Sequence, residues 1–185
     1  MVKIAPLQQE HVACFYKWLR DPAAIEYSMS AFQALKTTQQ IDDWFAATLQ
    51  QQNCLNLGIY LEETNALIGY AGITGISTTN HSGEYFIFIG EKACWGQGVG
   101  TAVTKQVVHI GFTSHHLNRI MLTVSEPNVG GVKAYAKAGF REEGRLRQAC
   151  YRQGQYHDKI VMSLLKSEWQ QQVTEAASGA LHLPV

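Results

Sequence analysis

Charge is scarce in this sequence. Of 185 residues only 16% are Asp, Glu, Lys or Arg, and 15 basic side chains balance 15 acidic ones. A net charge of zero argues against a dedicated nucleic-acid binder and against a polybasic membrane-surface protein, both of which rest on an excess of Lys and Arg. Cysteine is also sparse. Cys14, Cys54, Cys94 and Cys150 form no CxxC and no Cys/His cluster, so the ligand spacing of a zinc site is missing and no metal is expected. With 46% hydrophobic residues the chain needs no disulfide framework, and four reduced thiols, mostly in the core, are expected. No apolar run approaches the roughly 20 residues of a membrane helix, and the start, Met1 to Pro6, has no signal-peptide core. Repeats, low-complexity blocks and linkers are absent. These absences leave a soluble, cytoplasmic protein of one domain, with no nucleic acid and no membrane among its partners.

What is present is ordered helix first. Val12, Phe15, Tyr16 and Leu19 recur at helical spacing within residues 8–20, and Asp21-Pro22 stops that helix. Residues 23–36 lack a period and read as a loop or broken helix. Ile41, Trp44, Phe45, Thr48 and Leu49 line one face of a second helix, with Thr37 or Thr38 as its cap. A hairpin follows over Leu55–Leu61 and Ala66–Ile73, then a strand over Glu84–Ile89. Val99, Val103, Val107 and Ile110 mark a further helix, 119–125 a strand, and Asn128 to Ala138 a helix stopped by Gly139. Two closing strands and a polar terminal helix over 166–178 complete the chain, whose last residues should fray. This order predicts an α/β (α+β) fold with a mixed, mostly antiparallel sheet, in which the strands at 84–89 and 119–125 run parallel.

The chemistry concentrates between the Glu84 strand and the next helix, at Trp95-Gly96-Gln97-Gly98-Val99-Gly100-Thr101. Glycine lets backbone approach a ligand, and the first N–H groups of a helix are unpaired at the positive end of its dipole. Together they suit a pyrophosphate. No Gly-Lys-Ser/Thr follows, so this is no P-loop, and Thr101 stands where a dinucleotide fingerprint needs its third glycine.

The run from Trp95 to Ala102 resembles the acetyl-CoA pyrophosphate loop of the GNAT acetyltransferase superfamily, with Gly98 and Gly100 at its two small positions. Trp95 replaces the usual Arg or Gln, as is common in the branch of the ribosomal-protein acetyltransferases RimJ and RimL and the spermidine acetyltransferases. Downstream, Asn128 with Ala134-Tyr135-Ala136-Lys137-Ala138-Gly139-Phe140 is similar to the family's next helix and its exit. Gly154 to Asp158 is similar to the closing hairpin of the RimJ/RimL-like branch. The resemblance covers roughly residues 3–166. It divides the chain into an acetyltransferase domain, 1–166, and a C-terminal helix or tail, 167–185.

What the resemblance implies is a GNAT-like domain whose sheet splays between its fourth and fifth strands, and an enzyme moving acetyl from acetyl-CoA to a primary amine. Backbone near Gln97, Gly98, Val99, Gly100 and Thr101 should take the pyrophosphate. The Phe88–Ile89 backbone should bond the pantetheine arm, with the Ile89 N–H as oxyanion donor, and Asn128 should contact the arm from the next helix. Glu84 resembles the family's general base, with Glu126 the other carboxylate near the cleft. Tyr135 holds the place of the tyrosine that protonates the leaving thiolate. The serine that the RimL-like branch often carries three residues after the asparagine is Gly131 here. Tyr27, Met29 and Phe32 fall in the region that walls the acceptor site.

Two functions from different classes remain. One is an N-acetyltransferase acting by direct attack in a ternary complex on a protein N-terminus or a small amine, with a homodimer as the expected assembly on the general prior for soluble oligomers. The other is a non-catalytic acyl-CoA-binding sensor, which would need the glycines but neither Glu84 nor Tyr135. The balanced charge hides a split: residues 1–83 carry four basic and seven acidic side chains, the rest eleven and eight. An anionic coenzyme on the second half and a cationic amine on the first would match it.

Overall fold

The computed structural model describes residues 1–180. The first strand is one the helical reading passed over. Val2–Pro6 (β1) pairs antiparallel with Leu55–Leu61 (β2), Val2 opposite Leu61 and Pro6 opposite Leu57. Five residues ending in proline give little periodic signal, and proline is tolerated because β1 is an edge strand.

The first predicted helix is shorter than its pattern: a turn at Gln9–His11 leads into Val12–Trp18 (α1). The segment without a period contains two short helices, Pro22–Ile25 (α2) and Ser30–Ala34 (α3). Asp21 caps α2 by accepting the Ala23 N–H at 3.0 Å, with Pro22 at the first helical position, where its missing N–H costs nothing. Thr37, not Thr38, caps Thr38–Gln50 (α4). Its hydroxyl accepts the Gln40 N–H, and the Gln40 side chain answers with bonds to backbone N–H groups. Losing such a cap costs roughly 1 kcal/mol.

β2 pairs with Leu67–Ser77 (β3), and β3 with Ser82–Ile89 (β4), both antiparallel. Val99–Thr113 (α5) then crosses back to Arg119–Ser125 (β5), which lies parallel to β4. That is the expected strand–helix–strand unit. Val129–Lys137 (α6) leads to Arg141–Arg152 (β6), Gln155–Leu165 (β7) and Lys166–Ala180 (α7). The seven strands lie in the order β1-β2-β3-β4-β5-β7-β6, and every neighbouring pair but β4–β5 is antiparallel. The expected fraying falls in part on 181–185, outside the described residues.

The sheet has a core on each face. Val103, Val107 and Phe112 of α5 pack on one face with Ile73, Ile120 and Leu164. Phe15, Trp18, Phe32, Phe45, Tyr70 and Phe88 form an aromatic core on the other, with ring centroids about 5 to 6 Å apart. Each such ring contributes roughly 1.5–3 kcal/mol by leaving water. α7 is docked: Trp169 packs on Phe112 at 5.4 Å, and Glu168 bonds Arg141. Among the described residues no helix is long and apolar enough to cross a membrane.

What positions the site is the β4–β5 pair. Its ladder holds only from Ser82 opposite Arg119 to Glu84 opposite Met121. Beyond Glu84 the strands part, because β5 continues on β7 while β4 continues on β3. The fourth and fifth strands therefore enclose a wedge, as the resemblance implied.

Candidate active site

α5 begins on a left-handed residue. Gly98, at φ +79°, is its cap, and Gly96 ahead of it stands at φ +73°. A side chain in that conformation costs roughly 1–2 kcal/mol. A glycine cap has no side chain to bond the first N–H groups of α5, so they stay available to an anion. The space beside both glycines is open: a Cβ on either would meet nothing within 4 Å. Gly100 is different. It is already helical, and its Cβ would reach Ala134 of α6 at 3.6 Å, ordinary contact at the α5–α6 crossing.

A buried relay ties this turn to β4. Thr104 donates to the Gly100 carbonyl at 2.6 Å, and Tyr85 of β4 donates to the Thr104 hydroxyl at 3.0 Å. Burial pushes the Tyr85 phenol well above its usual range, so it stays a donor.

In front of the turn lies a cavity of about 400 Å³. Its walls come from four places: Ile87, Phe88 and Ile89 on β4; Cys94 through Thr101 along the turn, Gln97 excepted; Asn128 and one face of α6, with Lys133, Tyr135 and Lys137; and Ala23, Ala24, Tyr27 and Ser28 on and after α2. Of the predicted binding residues, Phe88, Ile89, Gly98, Val99, Gly100, Thr101 and Asn128 meet here. Gln97 does not line it; its side-chain amide donates to the Ala93 carbonyl at 2.6 Å. Thr101 is partly committed as well, its hydroxyl pointing at the Ala134 carbonyl at 3.4 Å.

The strand edge needs one correction. Gly90 donates to Ile68 at 2.9 Å, and Phe88 sits opposite Tyr70. In an antiparallel ladder, alternate residues spend both backbone groups on one neighbour. Phe88 is thereby bonded to Tyr70 of β3, while the N–H and C=O groups of Ile87 and Ile89 face the wedge. The backbone pair open to a ligand is Ile87 and Ile89, not Phe88 and Ile89. Phe88 contributes its buried ring to the aromatic core. Trp95, which sequence reasoning used only as a branch marker, donates its indole N–H to the Ile89 carbonyl at 3.0 Å.

Asn128 caps α6, its Oδ1 accepting the Gly131 N–H at 3.0 Å. A Cβ at Gly131 would come within 2.7 Å of the Asn128 amide, so this cap suits the glycine that stands where the branch often has serine. Tyr135 lines the cavity, its ring edge-on to Tyr85 at 6.0 Å and 80°. Burial pushes its phenol up to about 12.

The carboxylates lie apart from this cavity. Glu84 is exposed at the apex of the wedge, on the α1–α4 face of β4, opposite in direction to Tyr85. Glu126 is paired with Arg145 at 2.5 Å. No described residue lining the cavity is acidic, while Lys133 and Lys137 both line it. The charge split thus reaches the site as two cations on α6, one helical turn apart, and not as an acidic acceptor wall. That i, i+4 lysine pair beside a glycine-capped helix was a readable signal. The acceptor wall also changes. Tyr27 lines the cavity, Met29 accepts the Tyr70 hydroxyl through its sulfur at 3.9 Å, and Phe32 is core.

The far end of the sheet reaches this wall. In the β6–β7 hairpin, Arg152 donates to the Ser28 carbonyl and Gln153 to Glu26. Asp158 braces the hairpin by accepting the N–H of Gln148, where β6 bulges at φ +51°.

Comparison with known proteins places this geometry. The family model of the acetyltransferase (GNAT) domain matches residues 2–141. The chain is 31% identical over 168 residues to the uncharacterized N-acetyltransferase p20 of Bacillus licheniformis, covering 88% of this chain and 90% of that one. It is 30% identical over 105 residues to the putative ribosomal N-acetyltransferase YdaF of Bacillus subtilis, 57% of each chain. A crystal structure of spermidine N-acetyltransferase from Vibrio cholerae, in complex with CoA and spermine, has the same fold. Its TM-score is 0.82 at 20% identity, over 91% of this chain and 98% of that one.

Proposed function

The chain belongs to the acetyltransferase (GNAT) domain family, and on that premise we propose that it acetylates a primary amine by direct attack on acetyl-CoA in a ternary complex. The observation that carries the reading is the meeting, in one cavity, of the glycine-capped start of α5 with the open edge of β4. Acetyl-CoA supplies an activated thioester when bound. The N–H groups at the start of α5 hold its pyrophosphate, and Lys133 and Lys137 add positive charge beside it. Ile87 and Ile89 offer their backbone groups to the amide-bearing arm as a neighbouring strand would. Asn128, at the cap of α6, bounds the arm from the other side.

The amine must be neutral to attack, and Glu84 is the residue proposed to take its proton through water. Tyr135 is proposed as the partner of the leaving sulfur. With its phenol at about 12 and an ordinary thiol near 8.5, full proton transfer would be uphill by on the order of 5 kcal/mol. Tyr135 therefore keeps its proton and stabilises the thiolate by donating a hydrogen bond, while the proton released by the amine reaches sulfur through solvent. A sensor would need neither Glu84 nor the Tyr135 hydroxyl.

Acceptors of two kinds fit the proposal: a protein N-terminus, as in the RimJ/RimL-like branch to which the Trp95 loop and the likeness to YdaF point, or a small amine such as a polyamine, as the Vibrio cholerae enzyme's ligand suggests. Release of free thiol from acetyl-CoA, followed with peptides, polyamines and amino sugars, tests the reading. Thiol release above background with one class supports it, and Gly98→Arg should abolish the signal. A chain that binds acetyl-CoA but releases no thiol with any amine would favour the sensor.

A further inference from the structure

Trp95 is an unusual loop residue. Its side chain is 45% exposed, an expensive place for an indole, yet its N–H is spent inward on the Ile89 carbonyl at 3.0 Å. That bond also changes the strand edge. Of the four backbone groups that Ile87 and Ile89 turn into the wedge, Trp95 already engages one, the Ile89 carbonyl. Ile87 keeps donor and acceptor free, whereas Ile89 keeps a free donor and a carbonyl that already holds the indole N–H, a poorer acceptor for an arm amide.

A chain that pairs along a strand edge slides easily when successive positions look alike. An arm with amides and a thioester could otherwise set an amide N–H on the Ile89 carbonyl, one strand repeat out of place. With that carbonyl already engaged, an amide finds its better partner at Ile87, and the position at Ile89 favours an oxygen. We propose that Trp95 is a positioning residue that sets the register of the pantetheine arm, so that the thioester oxygen lies against the Ile89 N–H. This rests on the reading of the cavity as the acetyl-CoA site. Trp95 acts through Ile89 and needs no contact with the reacting atoms.

The test is the carbonyl stretch of acetyl-CoA, carrying ¹³C in its acetyl carbonyl, bound to the intact protein and measured by difference infrared spectroscopy. Wild type should show one band, below that of the free compound. Trp95→Phe keeps an apolar ring and loses the donor. It should show a band moved back towards the free value or split in two, with acetyl-CoA affinity by calorimetry within about threefold of wild type and kcat about tenfold lower. Trp95→Leu should behave alike and serves if the phenylalanine variant does not fold. The same single band in wild type and variant overturns the proposal, as does an unshifted band in wild type. A loss of affinity far beyond threefold also overturns it, because Trp95 would then be a binding wall. If the band shifts but no amine is acetylated, the enzymatic reading fails and the register role stands. If wild type does not bind acetyl-CoA, both fall.

Discussion

The Arg152 guanidinium bonds the Ser28 carbonyl at 3.2 Å, fastening the β6–β7 hairpin to the segment that walls the cavity. Gln153 adds a bond to Glu26 from the same tip. The hairpin tip thus meets the segment after α2, from which Tyr27 and Ser28 line the cavity. The Arg152 Nε lies buried without a partner, so the contact holds the hairpin short of full satisfaction of the guanidinium. Arg152→Met should free the tip. A hydrogen bond to a charged group contributes about 1.5–3 kcal/mol, so the acceptor KM should rise roughly tenfold or more. Acetyl-CoA affinity should hold. Steady-state kinetics with each substrate varied in turn reads the split, and an equal loss for both would make the contact a fold element only.

Lys133 and Lys137 face the cavity from α6 with no carboxylate beside them on its walls. If they hold the anionic end of the coenzyme, the double variant Lys133→Ala, Lys137→Ala should bind acetyl-CoA about tenfold more weakly at low salt. The gap should shrink as ionic strength rises, because exposed charges are screened. Calorimetric titration at two salt concentrations checks this, and unchanged affinity at low salt would remove both lysines from the site.

Tyr135 keeps its proton across the working range, since burial has raised its phenol to about 12. Tyr135→Phe should lower kcat roughly tenfold while acetyl-CoA affinity stays within about threefold. No alkaline limb in kcat below pH 10 should belong to this group, so the wild-type and variant profiles should run parallel there. The same shift bears on stability. A phenol raised from about 10 contributes stability that is complete below pH 10 and lost as pH climbs through 12. Tyr135→Phe should therefore be less sensitive than wild type to unfolding above pH 10.

Glu143 titrates at the other end of the scale. Arg119 first, and then Ser163, hold its carboxyl at about 2, linking β6 to β5 and β7. A depressed carboxylate contributes stability that is complete above its ordinary value of about 4.5 and lost as pH falls through 2. The melting temperature of Glu143→Gln should lie below wild type at pH 7, by a small amount because the pair is partly exposed. The difference should vanish near pH 2; a constant difference would show that charge is not its source.

Much of this arrangement could be read from the sequence because its signals are local. The glycines at 96 and 98 announce positive φ, the valine period announces α5, and Gly139 at φ +105° ends α6 as expected. The strand edge was legible only in part. Which residue of Phe88 and Ile87 faces the wedge depends on the pairing of β3 with β4, and a one-residue change of register reverses it. β1 is not legible because its five residues carry too little pattern. The resemblance places Phe32 in the acceptor wall, and its five-residue helix shows no period to say otherwise, but packing against Trp44 and Phe88 makes it core. The Arg152–Ser28 contact spans 124 positions, and nothing local in either residue foretells it.

The central claim is that this chain carries acetyl from the coenzyme to nitrogen. It is tested most directly by incubating it with acetyl-CoA labelled with ¹³C in the acetyl group and a panel of amines, then locating the label by mass spectrometry. The account predicts labelled acetyl on the nitrogen of one acceptor class, in step with free thiol, and none with Gly98→Arg. Label that stays on the coenzyme, or appears only as free acetate, would contradict it.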